Sequence, residues 1–239
     1  KIDLHRHLEG SLRLTSLLEV ARRFALDLPA DDLEALRPLV QVTNDEPSFR
    51  NFLEKFNVLR RFYQAPDVIH RLAYEVAADA AHDNVRYLEL RFTPYALASS
   101  QGYALAEVTD WVVAAVQAAV RDHPGLRVGL IASVNRHESL DIAEQVTRLA
   151  IERKDQGIVG LDLAGDEVNH SAEPFRPLFR AAREAGLGVV AHAGEWTGAE
   201  SVRDAIEALG VQRVGHGVRV LEDPAVVALA IERGIVFEV

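Results

Sequence analysis

The chain has 239 residues, of which 49% are hydrophobic and 26% charged, and its formal net charge is -10. This composition is typical of a folded globular protein and excludes disordered and fibrous chains. The acidic balance and the lack of a Lys/Arg-rich run argue against nucleic-acid binding. With no cysteine, disulfides, Cys-ligated zinc and Cys nucleophiles are excluded, so any metal must be held by His, Asp or Glu. No apolar run predicts a membrane span or a signal peptide, and we expect a cytoplasmic protein.

Short β-branched or Leu-rich runs alternate along the chain with longer runs of helical periodicity. This alternation predicts βα units around a parallel sheet. The predicted strands are Ile2–Leu8, Val85–Phe92, Arg127–Ser133, Ile158–Leu163, Gly188–His192, Arg213–His216 and Ile235–Val239.

Between these strands, apolar residues recur at i, i+3 and i+4, which predicts helices. The predicted helices are Leu14–Ala25, Phe49–Tyr63, Pro66–Asp83, Leu105–His123, Ser139–Gln156, Pro174–Ala185, Ala199–Leu209 and Pro224–Arg233. Gly186, Gly210 and Gly234 stand where a helix end favours a left-handed residue. A Pro/Asp-rich loop is predicted near Leu28–Pro47, within a helical insertion at about 14–83.

The sequence predicts one α/β domain over residues 1–239 with the topology of a (β/α)8 barrel, and a doubly wound open sheet is the alternative. Only seven strands are predicted. An eighth strand is therefore apparently missing, and we expect the natural polypeptide to continue past Val239.

Histidines follow several predicted strands. His5 and His7 lie two apart at the end of the first strand and so project from the same face, where both can reach one ion. His192 ends the fifth strand, Glu195 follows it on a loop, and His216 ends the sixth between two glycines. Each motif also has an ordinary explanation: polar residues at a strand end, a capped helix start, or a structural histidine.

The fourth strand leads to Gly165, which would let a flat ligand lie against the backbone, although a turn glycine explains it equally. In a barrel all these strand ends lie on one face, where the active site of barrel enzymes is built. Neutral imidazoles with an open position suit catalytic zinc, and zinc lowers the pKa of water to about 7. With His216 as base and Glu195 as proton donor, the sequence predicts metal-assisted hydrolysis.

Five motifs together resemble the adenosine deaminase family of the amidohydrolase superfamily: HRHLEG, DNVRYLELRFTP, LDLAGDE, HAGE and VGHGVR. The resemblance covers nearly the whole chain in order. It implies a barrel enzyme of purine metabolism with one zinc ion bound by His5, His7 and His192, and by an Asp expected beyond Val239.

The resemblance further implies that Glu195 protonates N1 of the purine and that His216 orients and activates the water. Gly165 would contact the purine ring through its backbone, and His7 would also touch substrate. The predicted reaction converts adenosine to inosine and ammonia.

Glu9 stands where adenosine-specific members commonly have Asp, at a position that faces the sugar. Its extra methylene fits, as alternatives, an adenine deaminase or an aminodeoxyfutalosine deaminase. A non-catalytic purine-binding homologue is the alternative of another class. The fourth strand has no lysine, which argues against a binuclear metal site. The sequence also has no GxGxxG motif, which argues against dinucleotide binding. The expected partner is a small purine, without nucleic acid or membrane, and the sequence leaves the oligomeric state open.

Overall fold

The computed structural model describes residues 1–29 and 31–239 and contains one sheet of seven strands. The strands are β1 Ile2–His7, β2 Tyr87–Phe92, β3 Arg127–Asn135, β4 Ile158–Ala164, β5 Gly188–Ala193, β6 Arg213–His216 and β7 Val236–Glu238. They follow chain order across the sheet, and the pairs from β3 to β7 are parallel. Chain-ordered parallel strands with helices between them are the topology of a (β/α) barrel, so the predicted fold class is confirmed. Within the described ranges, the strands number seven, as predicted.

Ten α-helices separate the strands in the described part of the chain. They are α1 Leu14–Arg23, α2 Leu33–Val40, α3 Phe49–Arg60, α4 Pro66–His82, α5 Pro94–Ala98, α6 Leu105–Asp122, α7 Leu140–Glu152, α8 Arg176–Glu184, α9 Ala199–Asp204 and α10 Pro224–Arg233. All eight predicted helices are present, most of them a few residues shorter than predicted.

The predicted loop at 28–47 is wrong in its middle, where α2 forms; residue 30 of that loop lies outside the described residues. Asp32 starts α2 by accepting a hydrogen bond from the N–H of Ala35. Leu36 and Val40 are buried, so packing outweighs the helix-breaking effect of Pro38 inside the helix. The short helix α5 was not predicted. The predicted helix 199–209 divides into α9 and a π-helical segment, Ala205–Leu209.

Contacts divide the chain into two compact units. The first comprises residues 1–90 and 96–128, and α4 and α6 supply much of its core. Ile69, Leu72 and Val76 repeat at helical spacing on α4 and are buried, as are Val108 and Val112 on α6.

The second unit comprises residues 91–95 and 129–239 and contains the strands β4 to β7. Apart from Val159 and Gly188 near their N-terminal ends, β4 and β5 are buried on both faces, as expected of central parallel strands covered by helices. In the register of β5 and β6, His192 is opposite Gly215 and Ala193 is opposite His216. The carboxyl ends of these strands therefore bring two histidines close together.

Candidate catalytic and metal-binding site

His192 and His216 lie side by side at the ends of β5 and β6. Their ring centroids are 5.3 Å apart. His216 has a φ of 66°, a left-handed conformation that is uncommon outside glycine and is often found at functional sites. The next residue must be glycine because a Cβ at Gly217 would stand 2.2 Å from a ring carbon of Phe237. The Gly-His-Gly pattern is therefore a strained strand end that presents an imidazole.

A buried carboxylate orients the His192 ring. Nδ1 of His192 lies 3.1 Å from Oδ1 of Asp162 on β4, and Asp162 is fully buried. The other carboxylate oxygen accepts a hydrogen bond of 2.9 Å from the Ser133 hydroxyl. A metal-ligating histidine commonly donates its second ring N–H to a carboxylate in this way, which leaves Nε2 for the ion. Asp162 has no role predicted from the sequence, where the available signal is a lone acidic residue in an otherwise apolar strand.

Glu195 faces His216 from the loop after β5. Its Oε2 lies 3.5 Å from Nε2 of His216. Burial raises the pKa of Glu195; His192 opposes this, whereas the negative charge of Glu167 adds to it. A carboxyl with a raised pKa holds its proton to higher pH, which suits a general acid.

On β1, the side chains of His5 and His7 lie together, with ring centroids 5.4 Å apart. Asp3 on the same strand pairs with Arg6 at 2.7 Å and accepts a hydrogen bond from the backbone N–H of His5. Glu9 is buried, with 4% of its surface exposed. The expected contacts of His7 and Glu9 with substrate stay predictions.

Gly165 occupies a sharp turn directly after β4. Its φ is +86°, and an added Cβ would stand 2.8 Å from Nδ1 of His137 and 3.1 Å from the Asn135 side chain. The turn and this close approach are sufficient to require glycine here. Its backbone contact to a purine stays a prediction.

Arg136 and Glu167 are two further residues near the site that were not predicted from the sequence. Both are buried charged side chains, and both contact the backbone between His192 and Thr197. The signal for Arg136 was an arginine directly after an apolar strand, and the signal for Glu167 was the carboxyl end of LDLAGDE.

Histidine side chains at strand ends could hold a metal ion. The rings of His192 and His216 lie side by side in the second unit, and the rings of His5 and His7 lie together in the first. The ligand set His5, His7 and His192 stays a prediction. Imidazole nitrogens without cysteine match the ligands of catalytic zinc, so the residues fit the ion that the sequence predicted.

Comparison with known proteins gives consistent results. The profile of the adenosine deaminase family matches residues 1–239. An adenosine deaminase of Vibrio parahaemolyticus is 41% identical over 236 residues, which are 99% of this chain and 70% of that protein.

Solved structures agree with the sequence matches. An adenine deaminase from Arthrobacter aurescens superposes with a TM-score of 0.87 at 30% identity, covering 99% of this chain and 70% of that one. A zinc-bound amidohydrolase from Burkholderia ambifaria has the same TM-score at 29% identity, covering 99% and 64%. No helix in the described ranges has the length and apolar character needed to cross a membrane. The chain belongs to the adenosine deaminase family and is a hydrolytic deaminase.

Proposed function

We propose that the protein catalyses the zinc-dependent hydrolytic deamination of a 6-aminopurine, with adenosine as the first candidate. The observation that carries the proposal is the placement of Glu195 against His216, beside a His192 ring that Asp162 orients. One carboxyl with a raised pKa and two imidazoles supply the acid and the base that such a hydrolysis needs.

We assign one zinc ion to His5, His7 and His192. The chemistry of the donors supports the assignment, because all three are imidazoles and Asp162 orients the His192 ring through its Nδ1 atom. When bound, zinc lowers the pKa of water to about 7 and so makes hydroxide available at neutral pH. Because the His216 ring lies beside that of His192, the assignment of His7 as the third ligand needs its own test.

In the proposed reaction, protonated Glu195 donates its proton to N1 of the purine. This withdraws electrons from C6 and makes it electrophilic. Water then adds to C6 while His216 accepts one of its protons. His216 passes that proton to the amino group, the C6–N bond breaks with loss of ammonia, and the proton of the new C6 hydroxyl returns to Glu195. The products are a 6-oxopurine and ammonia, so that one water is consumed for each amine released.

Adenosine is the first candidate because a relative at 41% identity is an adenosine deaminase. Adenine and aminodeoxyfutalosine are the alternatives because Glu9 is one methylene longer than the Asp common at this position. We place Glu9 beside the sugar, with His7 and the Gly165 backbone nearer the base. A longer buried carboxylate reduces the space for a ribose or reaches a different sugar.

The test is an ultraviolet deamination assay of the zinc-loaded protein with adenosine, adenine and aminodeoxyfutalosine. A clear preference in kcat/KM confirms the activity and identifies the group that Glu9 accommodates. The matched control for the variant Glu195→Gln is Glu173→Gln. Glu173 is exposed, so this change removes one carboxylate without touching the site residues. Purine binding without turnover of any of the three would contradict deamination and support a non-catalytic purine-binding protein.

A further inference from the structure

Residues 192–197 comprise the last two residues of β5 and the turn that follows, and the backbone of this loop is bound to one buried carboxylate. Glu167 accepts hydrogen bonds from four successive N–H groups, those of Gly194, Glu195, Trp196 and Thr197. The Trp196 bond is 2.8 Å long, and the Glu195 and Thr197 bonds are 3.2 Å and 3.4 Å. All four N–H groups must therefore point toward one side of the loop.

The carbonyl groups of the same loop are held from other sides. Arg136 donates through Nη2 to the carbonyl of His192 at 2.8 Å, and through Nη1 to the carbonyl of His170 at 3.1 Å. The Arg219 N–H donates to the carbonyl of Gly194 at 3.2 Å, and its guanidinium donates to that of Trp196. Donors and acceptors on both sides leave the loop few alternative conformations.

Both clamping side chains are charged and removed from water, with exposures of 4% for Arg136 and 6% for Glu167. Burial raises the pKa of Glu167, but hydrogen bonds from the Ser201 side chain and the loop N–H groups outweigh it and leave the pKa below its usual range. Burial lowers the pKa of Arg136, and the nearby charge of Glu167 opposes this. A buried ionised carboxylate is tolerated only when its hydrogen bonds are complete, so the loop cannot move away without a large penalty.

The backbone conformation of Gly194 also restricts the loop. Its φ is +64°, and an added Cβ would stand 2.7 Å from a methyl carbon of Val202. The chain therefore turns sharply between His192 and Glu195, and the direction of the turn fixes where the Glu195 carboxyl points.

We propose that Arg136 and Glu167 are positioning residues that clamp the 192–197 backbone and so hold the Glu195 carboxyl against His216. Neither side chain needs to touch substrate. The effect on catalysis rests on the proposed deaminase function, whereas the effect on the loop does not depend on it.

Glu167→Gln tests the clamp with an isosteric side chain. One amide oxygen still accepts a hydrogen bond, but the amide NH2 then faces N–H groups that also need an acceptor. We expect the Glu195 carboxyl to shift, and a shift of about 1 Å costs on the order of 10²-fold in rate. The expected result is a 10²-fold lower kcat with KM changed less than about 3-fold, and with zinc content unchanged.

Two readouts report on the loop without an assay of activity. The protein has two tryptophans, and Trp111→Phe leaves Trp196, which lies in the clamped loop, as the only one that is excited selectively at long wavelength. In this background Glu167→Gln should make Trp196 more accessible to acrylamide and should speed hydrogen exchange of the amides at 194–197. Glu167→Asp keeps the charge and should restore part of both kcat and protection.

Asp223→Asn is the matched control, because Asp223 also accepts a backbone N–H, that of Ala225 at 2.8 Å, but caps α10. It should change neither the loop readouts nor kcat. If Glu167→Gln fails to fold, Arg136→Lys and Glu167→Asp carry the same measurements.

Unchanged quenching, exchange and kcat in a folded Glu167 variant would overturn the proposal. The proposal would also be overturned if the variant lost activity only in proportion to the fraction of its molecules that are unfolded. If the wild-type protein deaminates no purine, the proposed function fails, and the exchange and quenching results still decide whether the clamp exists.

Discussion

Asp162→Asn separates the orientation of a metal ligand from the stability of the buried core. Asp162 contacts Nδ1 of His192 with one oxygen and the Ser133 hydroxyl with the other. Its second oxygen also lies 3.6 Å from the guanidinium of buried Arg91. The asparagine has the same shape but a single oxygen and no charge, so it cannot serve both sides.

Two magnitudes follow from these contacts. Loss of the carboxylate behind a metal-ligating histidine typically lowers metal affinity by about 10–100-fold, which corresponds to ~1.4–2.7 kcal/mol. Loss of one charge-assisted hydrogen bond in the core costs about 1.5–3 kcal/mol. Arg91 remains paired with Glu238 at 2.7 Å, so the full penalty of an unpaired buried charge does not apply. At about 2–4 °C per kcal/mol for a chain of this size, the Tm of the metal-free protein should fall by about 3–12 °C.

Zinc affinity is measured by competition with a chelator, and Tm is measured on metal-free protein so that zinc binding does not add to it. Exposed Asp141 gives the control Asp141→Asn, for which we expect no change in either quantity. A lower Tm with unchanged zinc affinity would show that Asp162 serves the core alone, and the argument that it orients His192 would then be refuted.

Other substitutions test the remaining assignments. Glu195→Gln should retain zinc and lose turnover by about 10²–10⁴-fold, and near-normal turnover would remove Glu195 from the mechanism. Because burial raises the folded-state pKa of Glu195, its contribution to stability is present below the unfolded pKa and is lost as pH rises through the folded pKa. In metal-free protein the Tm of Glu195→Gln relative to wild type should therefore be higher at pH 8 than at pH 4, and an equal difference at both would contradict the raised pKa. His7→Ala should lose zinc whereas His216→Ala should keep zinc and lose activity; the reverse pattern, measured by metal analysis, would replace His7 by His216 in the ligand set. Gly194→Ala should destabilise the protein by about 1–3 kcal/mol in chemical denaturation, because φ is +64° and the new Cβ meets Val202, and a neutral effect would show that the turn is adaptable.

Much of the fold was predictable because its signals are local. The β6 strand and the α10 helix have the bounds that the periodicity predicted, and α10 ends at Gly234 with a φ of +61°. Alternation of strand and helix then indicated the barrel topology. The helix α2 was not predictable in the same way, because Pro38 and its acidic surroundings are typical of a loop, and the burial of Leu36 and Val40 outweighs them.

The candidate site was predictable in part. His192, Glu195 and His216 stand out because histidine and glutamate beside glycine at strand ends are locally unusual, and the register of β5 and β6 brings these residues together. The sequence did not identify Asp162 as the partner of His192, since the two are 30 residues apart. A polar residue in an apolar strand signals that a partner exists, but not which one.

By itself, then, the sequence determined the strands, most of the helices and the residues proposed to carry the chemistry, because each depends on neighbours within a few positions. Only the tertiary structure decided how these residues are held. Arg136 reaches the His192 carbonyl across 56 residues, and Glu167 reaches four N–H groups about 30 residues away. Such contacts form because buried charges must find partners wherever the folded chain brings them, and periodicity along the chain carries no record of that choice.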